Sequence, residues 1–244
     1  MKFLLLYFAL SLLLILPLLR VCQKHIKKEY ARDFILKFAC VLTVFLHYSD
    51  ITVAFLRGEQ AVANSSHLFP IYPCHIMMWL SLIAAFLSNK KGKLFPVIAD
   101  FIFYFGTFCA IFGIVFNANY LSTPDLSDYS ILKGLVSHST LLFSCLYLYA
   151  MGYIHAEPKQ NARHVLYGFV FLLVDGLFFN FLFEKLGLSS VNAMYLQELP
   201  FPEYPFINTT TIGVAGVLAA YGIAAALQYH HRHVASADVV LQKK

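Results

Sequence analysis

Seven stretches of this chain, residues 3–19, 34–56, 68–88, 95–117, 131–153, 164–185 and 211–229, run almost free of charge. Most of them approach the ~20 residues that a helix needs to cross a hydrocarbon core. A backbone in lipid must satisfy its own amides, and runs this long and continuous do not suit barrel strands. The expected fold is therefore all-α, a bundle of seven transmembrane helices forming one membrane domain over residues 1–244. Composition agrees, with 59% hydrophobic and 13% charged residues and a mean hydropathy of +0.68, well outside the soluble globular class. The connections are too short to bury a separate soluble core.

Charge supplies the orientation. Thirteen Lys and Arg fall in the loops after spans one, three and five and in the tail, against three on the other side. The positive-inside rule then puts the N-terminus in the lumen and residues 230–244 in the cytosol. The sequons at Asn64 and Asn208 share the lumenal side, where glycosylation requires them. Sequons and a multi-pass chain suggest the endoplasmic reticulum or another endomembrane. Because the basic residues are scattered over short loops, the formal +5 charge does not read as a nucleic-acid surface. The first span resembles a signal peptide but lacks a small-residue cleavage site before Arg20, so it is expected to remain as an anchor. Four of the five cysteines lie within spans, which argues against a disulfide framework.

Polar residues interrupt the spans at a shared depth. Asp50, Cys74, His75, His138 and Asn180 each lie five to seven positions from a lumenal span end, roughly 10 Å into the helix. His47 and Asp175 are expected about one turn deeper, and Asp100 near the opposite end. Ionisable groups are costly in hydrocarbon, so several at one level suggest a functional site. Pro73 bears on Cys74 in either of two ways. A helix starting at Pro73 would leave Cys74 in its first turn, where free amides and the helix dipole favour a thiolate; one starting near Leu68 would be kinked there. A thiolate nucleophile needs a base. His138, at matching depth on another helix, can supply it, with Asp50 or Asn180 to orient the imidazole. Asn180 and Asn192 are candidate oxyanion donors. The loop 187–210, rich in proline and aromatic residues, reads equally as a lid over a cavity or as an interfacial cap. Small-residue spacings in span seven, from Gly213 to Ala224, read as helix packing.

The string Ile71-Tyr72-Pro73-Cys74-His75-Ile76, the span holding His138, and Asn192-Ala193-Met194-Tyr195 ahead of a proline-rich segment together resemble the transmembrane protein 164 family and its bacterial relatives. The resemblance covers roughly residues 65 to 210. For the eukaryotic members it implies a cysteine-dependent acyltransferase that moves a polyunsaturated acyl chain from a phospholipid onto a lyso ether phospholipid. Cys74 then matches the family's proposed nucleophile and His138 its histidine. The expected partners are phospholipid and lysophospholipid substrates within the membrane, with no cofactor and no metal.

Two rivals stand beside this reading. A metal-dependent intramembrane hydrolase would use His47, Asp50, His75 and His138 as ligands, although no span carries a His-x-x-x-His pair. A transporter or lipid-binding receptor would use Asp50 and Asp175 as coupling groups and need neither Cys74 nor a thioester.

Overall fold

The structure, a computed structural model, describes residues 2–56, 69–115, 128–187, 192–199 and 202–241, and the side chain of Asp50 lies outside this description. Among the described residues it is helical without strands: α1 (Lys2–His25), α2 (Glu29–Leu56), α3 (Pro73–Phe86), α4 (Leu94–Phe101), α5 (Thr107–Val115), α6 (Tyr129–Ala150), α7 (Pro158–Lys185) and α8 (Thr209–Leu241). A five-residue π turn, Ile102–Gly106, joins α4 to α5 in one rod. This is the polytopic helical class that the apolar runs dictate.

The count of seven spans is approximate. Among the described residues five helices, α1, α4 to α5, α6, α7 and most of α8, are long and apolar enough to cross a membrane. α2, with 28 residues, has the length but carries charged and polar residues at both ends. α3 has 14, about 21 Å of helix, too short to cross alone. The reason is Pro73: of the span expected over 68–88, residues 69–72 are not helical, and the helix begins at Pro73. α8 continues as helix past His230 to Leu241.

Polar contacts fix how the helices align. Along the α2–α6 seam, Tyr129 donates to Ser49 Oγ (2.6 Å), Lys133 to the His47 carbonyl (2.6 Å) and Thr43 to Thr140 Oγ1 (2.9 Å). The numbers fall along one helix as they rise along the other, so the two are antiparallel. α1 is tied to the same helix by Tyr7 and Ser11 at Ser139 and by Gln23 at the Ala150 carbonyl, which makes α1 parallel to α6. Such hydrogen bonds hold helices together where no hydrophobic driving force separates helix from lipid. On the outside, α7 turns Val170, Val174, Leu177, Phe178 and Phe181 outward, as a lipid-facing helix does. Its other face meets α8 at small residues, where a β-carbon on Gly216 would press on the Phe169 ring (2.7 Å). Ala220 and Ala224 are buried. Span seven is thus a packing element.

Asp100 sits at the opposite end of the bundle from the start of α3, in a network of its own. Its Oδ2 accepts from Asn161 Nδ2 (2.8 Å) and pairs with His164 Nδ1 (2.6 Å), while Tyr104 donates to Asn161 Oδ1 (3.3 Å). These bonds join the buried faces of α4 and α7. Deleting one partner of a buried pair of this kind typically costs about 3–5 kcal/mol, because the other is left without compensation.

Candidate active site

Pro73 occupies the first helical position of α3, where its fixed φ suits the helix and its missing N–H costs nothing. Tyr72 before it is extended (φ −110°, ψ 151°), and the first intrahelical bond runs from Ile76 N to the Tyr72 carbonyl (3.1 Å). The amides of Cys74 and His75 precede that bond. Of the two geometries that the sequence allowed, the helix start at Pro73 is therefore the one observed, and it places a partly buried thiol at a point where backbone N–H groups and the helix dipole favour negative charge.

The extended residues leading into α3 are pinned by the loop near residue 193. Met194 N donates to the Ile71 carbonyl (2.9 Å). Asn180 on α7 holds Ala193 from both sides, accepting from its N–H (2.7 Å) and donating to its carbonyl (3.1 Å). Ile71, Phe183 and Ala193 close into a small apolar cluster, and the Tyr195 ring lies 5.4 Å from that of Tyr72. Gly176 gives the loop room, since a β-carbon there would meet Leu196 (2.7 Å) and Met194 (2.8 Å). Met194 and Tyr195 both have φ of 54°, a left-handed conformation that costs non-glycine residues of order 1 kcal/mol each and persists only where surroundings impose it. The described part of the loop is thus a cap seated on the entry to α3.

This changes the role of both asparagines. Asn180 spends its oxygen and nitrogen on Ala193, and Asn192 binds within the loop, donating to the Glu198 carbonyl (2.8 Å) and accepting from Gln197 N (2.9 Å). Both clamp backbone, each through its oxygen and one amide hydrogen. A polar residue in a span signals that its backbone or side chain has a partner, and here the partner is a loop.

His138 stands on α6 about 14 Å from the helix start at Tyr129. Its Nδ1 lies 2.8 Å from the Gly134 carbonyl of the preceding turn. A carbonyl only accepts, so Nδ1 carries the hydrogen and Nε2 of the neutral ring carries the lone pair. The described partner of Nδ1 is this carbonyl of its own helix; of the two orienting groups expected, Asn180 binds Ala193 and the Asp50 side chain lies outside the described residues. Nε2 is buried and has no hydrogen-bond partner. The ring fits only because residue 113 of α5 is glycine: a β-carbon there would overlap His138 Cδ2 and Nε2.

The same α5 also adjoins α3. Cys109, one turn before Gly113 and on the same face of the helix, belongs to the apolar core against which Cys74 packs. α3 packs against both α5 and α6. The helix that carries the thiol and the helix that carries the imidazole thus both pack on α5.

α2 closes another side. The ring of His47 lies 4.3 Å from that of His75, which is also 5.3 Å from Tyr72. His47 is therefore level with the first turn of α3 rather than a turn deeper. Asp50 follows His47 by three residues, and its side chain lies outside the described residues. Asp175 is set apart on α7 with Oδ2 buried and unpartnered. Among the described residues no three His, Cys, Asp or Glu side chains gather as metal ligands would. Two residues at the site escaped the sequence reading. Lys133 lies just inside a span end, where a lysine is ordinary, and Gly113 carries no signal, since one glycine in an apolar run gives no hint of what it faces.

An intramembrane thiol at a helix N-terminus, with a histidine on a neighbouring helix whose acceptor nitrogen is unspent, defines a polytopic helical membrane protein with the parts of a cysteine–histidine site. The chain belongs to the TMEM164 family, whose family model matches residues 1–225, well beyond the 65 to 210 over which the motifs themselves are legible. No curated protein and no solved structure matches it.

Proposed function

We propose that the protein is an acyltransferase of the bilayer interior that moves a fatty acyl chain between phospholipids, including onto lyso ether phospholipids, through an acyl-thioester on Cys74. The observation that carries this reading is His138: Nδ1–H is committed to Gly134 and Nε2 is buried with no partner, which is the form a general base must have. In the first half-reaction His138 Nε2 takes the Cys74 proton and the sulfur attacks the ester carbonyl. The ester C–O bond breaks, and the departing lysophospholipid oxygen takes the proton from His138. In the second, His138 removes the hydroxyl proton of an acceptor lysolipid, whose oxygen attacks the thioester. The C–S bond breaks and the proton returns to the sulfur. Both substrates are lipids, so the acyl chain stays in hydrocarbon throughout.

Comparative lipidomics tests this. Cells expressing the wild-type chain should differ from cells expressing Cys74→Ser in the acyl chains of their ether phospholipids. Identical profiles, with both proteins present in the membrane, would remove the support for acyl transfer and favour a transporter or receptor that needs no thiol.

We further infer an endomembrane location, the endoplasmic reticulum by preference, with the N-terminus lumenal and the tail cytosolic. The support is the thirteen-to-three split of Lys and Arg and the shared side of Asn64 and Asn208. A tail epitope should be reached after plasma-membrane permeabilisation alone; one reached only when the lumen is opened would reverse the orientation.

A further inference from the structure

Every backbone polar group of Ala193 and Met194 is taken, and the partners come from separate parts of the chain. Asn180 of α7 accepts from the Ala193 N–H (2.7 Å) and donates to its carbonyl (3.1 Å), where Leu196 N adds a local turn (3.3 Å). Met194 N donates to the Ile71 carbonyl (2.9 Å). Thr209, the first residue of α8, donates from its hydroxyl to the Met194 carbonyl (3.2 Å). These two residues therefore tie α7 and α8 to the segment that leads into Pro73 and Cys74.

Within this hub Asn180 has no substitute. Met194 and Tyr195 hold left-handed backbone, which weighs against the loop unless its surroundings impose it. Among the described residues the Ala193 N–H has no second partner, and Ala193 is 0% exposed, so water does not stand in. A buried amide left unpaired is costly. An apolar side chain at position 180 therefore favours release of Ala193, and Met194 N leaves the Ile71 carbonyl with it. From Ile71 the path to the thiol is short, through the extended Tyr72 and Pro73. Pro73 disfavours continuation of the helix upstream, but it does not set the direction from which the extended segment arrives. The bond between Met194 and Ile71 sets that direction, and with it the orientation of the first turn of α3.

Resting on the proposed acyl transfer, we infer that Asn180 is a positioning residue for Cys74: its two bonds to Ala193 keep Met194 on the Ile71 carbonyl and so hold the first turn of α3 where the thiol can react. A shift of about 1 Å at a positioned catalytic group can cost two orders of magnitude in rate. Affinity for the substrate is spread over a whole lipid and is little affected, so the clamp acts on kcat rather than on KM. Asn161 shows the contrasting case on the same helix. It too is buried and holds several bonds, to Asp100, Tyr104 and Glu157 N, but it does so at the opposite end of the bundle.

The test uses the full purified chain, with phosphatidylcholine as the acyl donor and acylation of Cys74 as the readout. Asn180→Leu removes both bonds at similar volume and should lower kcat at least ~tenfold while KM stays within about twofold. Asn161→Leu should lower the unfolding temperature yet leave kcat and KM unchanged, both variants being assayed where they remain folded. Thr209→Val removes one outer bond of the same hub and should lower kcat about threefold, which keeps the inference testable should Asn180→Leu fail to insert. Unchanged kcat in folded Asn180→Leu, or in Thr209→Val where Asn180→Leu does not insert, would overturn the inference. So would an equal loss in Asn161→Leu, the mark of a purely structural role. Alkylation of Cys74 by iodoacetamide, located by peptide mass spectrometry, tests the positioning without lipid chemistry. An ordered helix start favours the thiolate that alkylates, so Asn180→Leu should slow the reaction severalfold against both wild type and Asn161→Leu. Slower alkylation supports the clamp even if no thioester ever forms; a rate equal to or above that of the wild type overturns it even if acyl transfer is found.

Discussion

Cys74→Ala and His138→Ala are each expected to reduce acyl transfer by at least ~100-fold, and the double variant to be little worse than Cys74→Ala alone. The reason is that neither group works without the other. A thiol near its ordinary pKa is mostly protonated and a poor nucleophile until a base or a helix end raises its thiolate fraction. Cys74 lies in the first turn of α3, where amides without intrahelical partners favour negative charge, yet the proton still needs an acceptor. His138 offers one in the required tautomer because Gly134 holds its Nδ1–H. Incubation with an acyl donor should label Cys74 through a bond that neutral hydroxylamine cleaves. His138→Ala should slow that labelling by a similar factor. Membrane-inserted Cys74→Ala protein with full transfer would leave the thioester mechanism without its nucleophile.

How much of this was legible in the sequence depends on the range of the interaction. Apolar runs long enough to cross a membrane report on each helix singly, so the all-helical class and most span positions could be read directly. Pro73 and Cys74 were legible for a similar reason, since the properties of a helix start are settled within one turn. The sequence could not choose between a start at Pro73 and one near Leu68, because the choice is made by Met194, whose amide holds the Ile71 carbonyl from more than a hundred residues away. Asn180 shows the same limit in reverse. Its depth beside Cys74 suggested chemistry, but both of its polar atoms are taken by Ala193 across a loop that a hydropathy map leaves blank. Lys133 lies just inside a span end, where the sequence alone marks nothing unusual. Only the inward turn of its side chain to His47 distinguishes it from a lysine that reaches for water.

Gly113→Ala is expected to fold and insert but lose most activity, by roughly 100-fold, although residue 113 touches no reacting atom. In an exposed helix the change would be favourable by up to ~1 kcal/mol. Here the new methyl would overlap His138 Cδ2 and Nε2, and overpacking of this kind costs about 1–3 kcal/mol. The ring cannot yield freely, because it is buried and its Nδ1–H is bound to Gly134. It must break that bond or rotate, and either moves Nε2 by about the 1 Å that can cost two orders of magnitude in a positioned catalytic group. Gly222→Ala on α8 is the matched control, since a β-carbon there meets nothing within 4 Å, and activity should be unchanged. In a His138→Ala background the overlapping ring is gone, so Gly113→Ala should become stabilising or neutral while activity stays at the His138→Ala level. Thermal unfolding in detergent reads the first effect and Cys74 acylation the second. Full activity in Gly113→Ala would show that His138 does not need the place against α5 that the structure gives it, and would remove the link through which α5 brings base and thiol together.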